Sequence, residues 1–123
     1  MLMPFLAACA GGFGAAGRLS LDGWIRAHSK TSYPLGTTII NVSGSLILGF
    51  VTGLALGGEI SAQWRLILGT GFLGGYTTFS TATFETVRLL QQRRYLAALS
   101  NGFAMLLASV AAAAAGLWLG GLA

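Results

Sequence analysis

Charge is scarce in this 123-residue sequence. Asp and Glu together number 3, Lys and Arg 7, and charged residues make up 8% of the chain, against about 25% in soluble globular domains. So little charge, with 54% apolar residues and a mean hydropathy of +0.75, excludes a water-soluble domain and predicts a single transmembrane domain over residues 1–123. Long basic runs are missing as well, so the net charge of +4 does not point to nucleic acid. With Cys9 the one cysteine, an internal disulfide or a thiolate metal site is excluded. Cys9 lies in LAAC, which looks like a lipoprotein cleavage box, but no Lys or Arg precedes it and the apolar run before it is short. It reads as a small packing residue. His28, the one histidine, has no second ligand near it and reads as solvated. No nucleophile–base pair or metal cluster can be assembled, which leaves an enzyme the weakest functional class.

What is present is a succession of long uncharged runs. The first helix is expected over about 1–18. Its small residues Ala7, Ala8, Gly11, Gly12, Ala15 and Ala16 recur every three or four positions, which lets helix backbones approach closely in lipid. The G-x-G-x-x-G of Gly12, Gly14 and Gly17 lacks the preceding strand and the following acidic residue of a dinucleotide site, so it reads as packing. Leu19 to Tyr33 holds Asp22, Arg26, His28, Ser29 and Lys30 and reads as an interfacial loop or short surface helix, with Trp24 as anchor. A second helix is expected over 34–57, where 24 uncharged residues suffice to cross about 30 Å of hydrocarbon. Pro34 suits its first turn. Asn41, Ser45, Gly49 and Gly53 recur every four residues and are expected on one face. An amide in hydrocarbon needs a hydrogen bond, so Asn41 is either an interhelical brace or a pathway group. Gly57, Gly58 and Glu59 make a turn, and a fourth helix is expected over 95–119, with Asn101, Met105 and Ser109 on one face.

The third expected helix, 62–92, is too long for one span: about 31 residues would reach roughly 46 Å as a straight helix. Its middle reads GFLGGYTTFST (Gly71 to Thr81). Glycines followed by hydroxyl residues at that depth predict two half-helices with a break near 74–78, since non-helical backbone in a bilayer must be buried in protein or line a wet path. Such a break frees C=O groups that suit an alkali cation, and N–H groups that suit an anion. Thr77, Thr78, Ser80 and Thr81 add hydroxyls. Phe79 adds a ring edge, which is electropositive. A plain glycine kink that eases packing is the alternative. Glu85 and Arg88, three apart, are placed to pair at the far interface.

GGFGAAGR (Gly11 to Arg18), PLGTTIINVSG (Pro34 to Gly44) and GFLGGYTTFST, in this order and spacing, make the chain resemble the Fluc-type (CrcB) fluoride channels over nearly its full length. The resemblance implies an all-α membrane protein of four transmembrane helices, the third broken at mid-membrane, assembled as an antiparallel dual-topology-type dimer. It implies passive export of F⁻ across the cytoplasmic (inner) membrane, relieving fluoride toxicity. It also implies a structural Na⁺ at the dimer centre, held by the backbone carbonyls of Gly74 and Thr77. Asn41, Phe79, Ser80, Thr81 and Ser109 correspond to the fluoride pathway, and Arg18 to the vestibule arginine. F⁻ holds water strongly, so a path of amide, hydroxyl and ring-edge donors without a fixed charge is what its passage requires.

Two departures from the family pattern point to a partner. Ala82 stands where the motif usually carries a second phenylalanine, and Asn101 and Met105 stand in a helix-four track usually made of Tyr and Ser. Charge adds to this. With four helices, Arg65 alone lies on the side of both termini and the other six of the seven basic residues lie opposite, so the positive-inside rule expects N- and C-termini outside. A homodimer of opposed subunits needs little such bias. The chain is therefore expected to pair with an oppositely oriented second subunit, as a homodimer or, given the bias and Ala82, with a paralogue. The competing classes are a small multidrug-type secondary transporter, which would need a coupling carboxylate, and a non-conducting assembly subunit.

Overall fold

A computed structural model describes residues 2–31 and 33–122; Met1 of the expected first helix, Ser32 of the polar segment and Ala123 lie outside the described residues. The chain is helical throughout, with no strand among the described residues: α1 (Leu2–His28), α2 (Leu35–Leu56), α3 (Ala62–Arg65), a π-helical segment (Leu66–Leu73), α4 (Gly74–Tyr76), α5 (Ser80–Gln91), α6 (Tyr95–Leu99), a second π-helical segment (Ser100–Ala104) and α7 (Met105–Leu122). α6 through α7 form one continuous run. Leu2–His28, Leu35–Leu56 and Tyr95–Leu122 are each long and apolar enough to cross a membrane. The region between them forms two shorter arms, Ala62 to Tyr76 and Ser80 to Gln91, with Thr77 extended at φ −83° and ψ 160°.

Of the two readings of the polar segment after Arg18, the helical one holds as far as His28, and Ser29, Lys30 and Thr31 lie beyond the helix. α1 runs unbroken to His28, because Leu21 and Ile25 keep an apolar stripe going and the polar residues support the helix. Arg26 Nη2 pairs with Asp22 Oδ2 at 3.0 Å, one turn apart, and Arg26 and His28 occupy the last turn, where cations complement the helix dipole. The expected boundary at 18 was drawn where charge begins, but an i,i+4 ion pair stabilises a helix rather than ending it. Glu85 likewise lies 4.0 Å from Arg26 of α1, rather than pairing with Arg88 one turn along its own helix.

Glycine decides how closely the helices meet. α2 and α7 make the most extensive contact. A Cβ at Gly49 would strike the Ala113 carbonyl, and one at Gly116 the Leu46 carbonyl, while Gly53 and Gly120 meet each other's helices in the same way. α1 lies as close to the first arm through Gly14 against Phe72 and Gly75 against Gly11. In lipid, such small-residue faces supply packing that apolar burial cannot. The four-residue row of α2 does not stay on one face, however: Asn41 and Ser45 border a cavity, whereas Gly49 and Gly53 pack on α7. At 3.6 residues per turn each four-residue step turns roughly 40°, so the row winds off its starting face.

α5 ends with Arg93 N–H on the Leu90 carbonyl and Arg94 N–H on the Leu89 carbonyl, both bonds of a Schellman motif. Its left-handed residue is Arg93, at φ 59°, where glycine carries no Cβ penalty. Arg93→Gly is expected to stabilise the protein by about 1 kcal/mol, read as a higher thermal midpoint in detergent.

Candidate functional site

The site is built around the interruption at residues 77–79. Gly44 lets α2 come against it, since a Cβ there would strike Thr77 Cγ2 and the Tyr76 ring. One turn earlier on α2, the Asn41 amide grips the peptide groups of Thr78 from both sides: Nδ2 donates to the Thr78 carbonyl at 2.8 Å, and the Thr78 N–H donates to Oδ1 at 2.9 Å. The second amide hydrogen faces Met105 Sδ at 3.3 Å. A side-chain amide thus replaces the helical partners that Thr78 forgoes. The Thr78 hydroxyl accepts the Thr81 N–H at 3.1 Å and caps the first turn of α5. Thr77 doubles back, its N–H and its hydroxyl both donating to the Leu73 carbonyl at 2.9 Å. On the α1 side, Arg18 Nε donates to the Gly75 carbonyl at 3.2 Å. Ser43 and Tyr76 hydroxyls meet at 3.0 Å.

One face of this interruption opens on a cavity of about 720 Å³. Asn41, Gly74, Thr77, Thr78, Phe79 and Ser109 line it, with Ser45, Thr83, Thr86, Asn101 and Met105. No ionisable side chain is among its lining residues. The ring of Phe79 is 85% exposed, held out from the chain where α5 begins. Both π-helical segments border the cavity, through Gly69 and Thr70 and through Asn101 and Gly102. Such wide turns recur at functional sites.

The structure therefore gathers Asn41, Phe79, Ser109, Gly74 and Thr77 around one space. Ser80 and Thr81 head α5 outside the lining, and Arg18 reaches the interruption from the opposite helix. Two residues matter more here than their sequence context suggested. Thr78 is the residue both amide atoms of Asn41 hold. Asn101 is buried at 1% exposure, its Nδ2 donating to the Ala82 carbonyl at 3.2 Å and to Thr86 Oγ1 at 2.8 Å, while its Oδ1 has no partner. The four-residue spacing of Ala82 and Thr86 was visible in the chain; that one amide could bridge it was not.

Among the described residues no group of three His, Cys, Asp or Glu could hold a metal, so a cation here must rely on backbone and hydroxyl oxygens. Those suit a hard ion. Two carbonyls fit: Gly74 C=O lacks its helical donor because Thr78 N–H goes to Asn41, and Thr77 C=O lacks its own because Thr81 N–H goes to the Thr78 hydroxyl.

Comparison with known proteins finds relatives along nearly the whole chain. A family model described as CrcB-like protein, Camphor Resistance (CrcB), matches residues 5–120. Fluoride-specific ion channel FluC 1 of Leifsonia xyli subsp. xyli is 59% identical over 122 residues, covering 99% of this chain and 89% of the relative. A FluC 2 of Bacillus cereus is 36% identical, covering 99% and 100%. FluC of Pyrococcus abyssi is 43% identical over 101 residues, covering 81% and 80%.

Proposed function

This chain belongs to the CrcB-like family, an integral membrane family of ion channels rather than enzymes, and from that premise we propose that it is a subunit of a fluoride-selective channel passively exporting F⁻ across the cytoplasmic membrane. The observation that carries the reading is the cavity beside the interruption. Its lining residues offer hydroxyl groups and a ring edge and include no ionisable side chain, while the amide hydrogens of Asn41 and Asn101 are held by the protein itself. A fixed positive charge would hold a small anion, whereas neutral donors replace its water and let it leave. The same lining disfavours a proton-coupled transporter: Glu85 lies outside it, next to Arg26.

The two arms 62–76 and 80–91 together make the third of four crossings, with residues 77–79 near mid-membrane. The ion path runs past Phe79, Asn41 and Ser109, with Ser80 and Thr81 at the head of α5 and Arg18 at the vestibule. A Na⁺ held by the carbonyls of Gly74 and Thr77 would brace the interruption at the centre of an antiparallel dimer.

Ala82 and Asn101 favour a paralogue as the second subunit. The side of the cavity that a second phenylalanine would close carries a methyl group instead. The basic bias orients this chain with its termini outside. Fluoride efflux from liposomes holding this chain alone tests the reading, beside liposomes that also hold a family member with the opposite loop bias. The expected result is rapid efflux only from the pair. A Lys30→Cys reporter in a Cys9→Ala background is expected to label from one face. Robust efflux from the chain alone, with Lys30→Cys labelled on both faces, establishes the homodimer instead. No fluoride efflux from any combination, in monodisperse protein, overturns the channel reading.

A further inference from the structure

In a regular helix the N–H of residue i+4 covers the carbonyl of residue i, so an interruption would ordinarily leave a run of carbonyls alike in exposure. Here they are not alike. Asn41 draws the Thr78 N–H to its Oδ1 at 2.9 Å, which uncovers Gly74 C=O. The Thr78 hydroxyl draws the Thr81 N–H at 3.1 Å, which uncovers Thr77 C=O. Beside those two, Gly75 C=O is covered by Arg18 Nε at 3.2 Å, and Thr78 C=O is covered by Asn41 Nδ2 at 2.8 Å.

We infer that Asn41, the Thr78 hydroxyl and Arg18 are positioning residues that select which carbonyls of the interruption face a cation. Two are freed by diverting their own helical donors, and the Gly75 carbonyl is closed by a guanidinium, while the Tyr76 carbonyl beside it has no such partner among the described residues. The inference deepens the proposed function and rests on its Na⁺ site. It gives Asn41 a role apart from touching the anion: its amide is spent on Thr78, and the peptide it holds leads directly into Phe79. One side chain thereby couples the carbonyls on one side of Thr78 to the ring on the other.

The inference predicts what removal does. Without the Asn41 amide, Thr78 N–H returns to Gly74 C=O and α4 gains a residue. Without the Thr78 hydroxyl, Thr81 N–H returns to Thr77 C=O and α5 starts earlier. Either way one cation ligand becomes an ordinary helical carbonyl.

The test is the dependence of the thermal midpoint on NaCl, against N-methylglucamine chloride at matched ionic strength, in fluoride-free buffer so that the anion path does not enter. The full chain is used in its functional assembly. The wild-type curve is expected to rise and saturate with Na⁺. Asn41→Ala and Thr78→Val should each raise the half-saturating Na⁺ concentration by about tenfold, the scale of losing one hydrogen-bond acceptor to a charged group. Thr78→Ser, which restores the hydroxyl, should lie within about twofold of wild type. Thr78→Val carries the test if Asn41→Ala does not yield folded protein. Na⁺ curves for the variants that overlay the wild type, or Thr78→Ser as weak as Thr78→Val, overturn the inference. So does a wild type indifferent to Na⁺. Fluoride efflux on the same preparations separates this failure from failure of the channel reading, since efflux that persists leaves that reading standing.

Discussion

Gly116→Leu eliminates folded protein. A Cβ at this position would already strike the Leu46 carbonyl and lie 2.8 Å from the Phe50 amide nitrogen. Both obstacles are backbone atoms in the middle of α2, so no rotamer change can relieve the contact. The reciprocal positions make the constraint stiffer, because Gly49 meets Ala113 across the same seam and Gly120 meets Phe50. Overpacking of a flexible core costs about 1–3 kcal/mol. Here leucine must separate the two helices that share the largest contact in the chain, so the cost is expected above that range. The measurement is the yield of monodisperse protein by size exclusion and the thermal midpoint of whatever survives. Gly12→Ala is the control: a Cβ there meets nothing within 4 Å and alanine is the better helix former, so yield should be unchanged and the midpoint equal or higher. Full yield of Gly116→Leu would mean that the α2–α7 seam is looser than its backbone contacts describe.

Phe79→Ile is expected to reduce fluoride efflux by about a hundredfold while leaving assembly intact. The ring is 85% exposed, so within the subunit little packing depends on it, and the variant separates conduction from folding. Isoleucine approximates the bulk but has no ring edge. In the proposed path that edge is a donor substitute for water on an anion that holds water tightly. Losing one well-placed donor in a site shielded from water costs about 2.7–4 kcal/mol when the charge sits there, which sets the scale of the loss. Phe103→Leu serves as the control, because Phe103 is 63% exposed yet absent from the cavity lining. Equal efflux from Phe79→Ile and wild type would remove the ring from the path.

Much of the candidate site lay in one short stretch of sequence, and its limits have identifiable causes. GFLGGYTTFST pointed to a break near 74–78 because glycine and hydroxyl residues in an apolar run are locally conspicuous, and the family resemblance singled out Gly74, Thr77 and Phe79 within it. The structure puts the non-helical residues at 77–79, somewhat later than the expected 74–78. Thr77 still closes on the Leu73 carbonyl as a helical residue would, and the Asn41 amide replaces helical pairing only from Thr78 on. Asn101 was noticed as a departure from a family pattern. What the amide does, bridging Ala82 and Thr86 with its oxygen left bare, needed a second helix in place. The helix end expected near Arg18 came too early because charge was read as a helix boundary, whereas Asp22 and Arg26 pair along one continuing helix.

By itself the sequence determined the class of this protein. Scarcity of charge and runs of apolar residues leave membrane helices as the structure that satisfies every backbone group, and ordered motifs assign the chain to its family. Those are properties of composition and of neighbours within a turn. The tertiary structure decided how the polar groups are used. The Asn41 bonds to Thr78 span 37 residues and the Arg18 bond to Gly75 spans 57. Contacts at such separation exist only because glycine faces let α1 and α2 close on the interruption. No local spacing encodes them, since a side-chain amide offers the same donors and acceptor to an ion, a water or a peptide group. Which of these it meets is a matter of what the packed helices bring within about 3 Å of it.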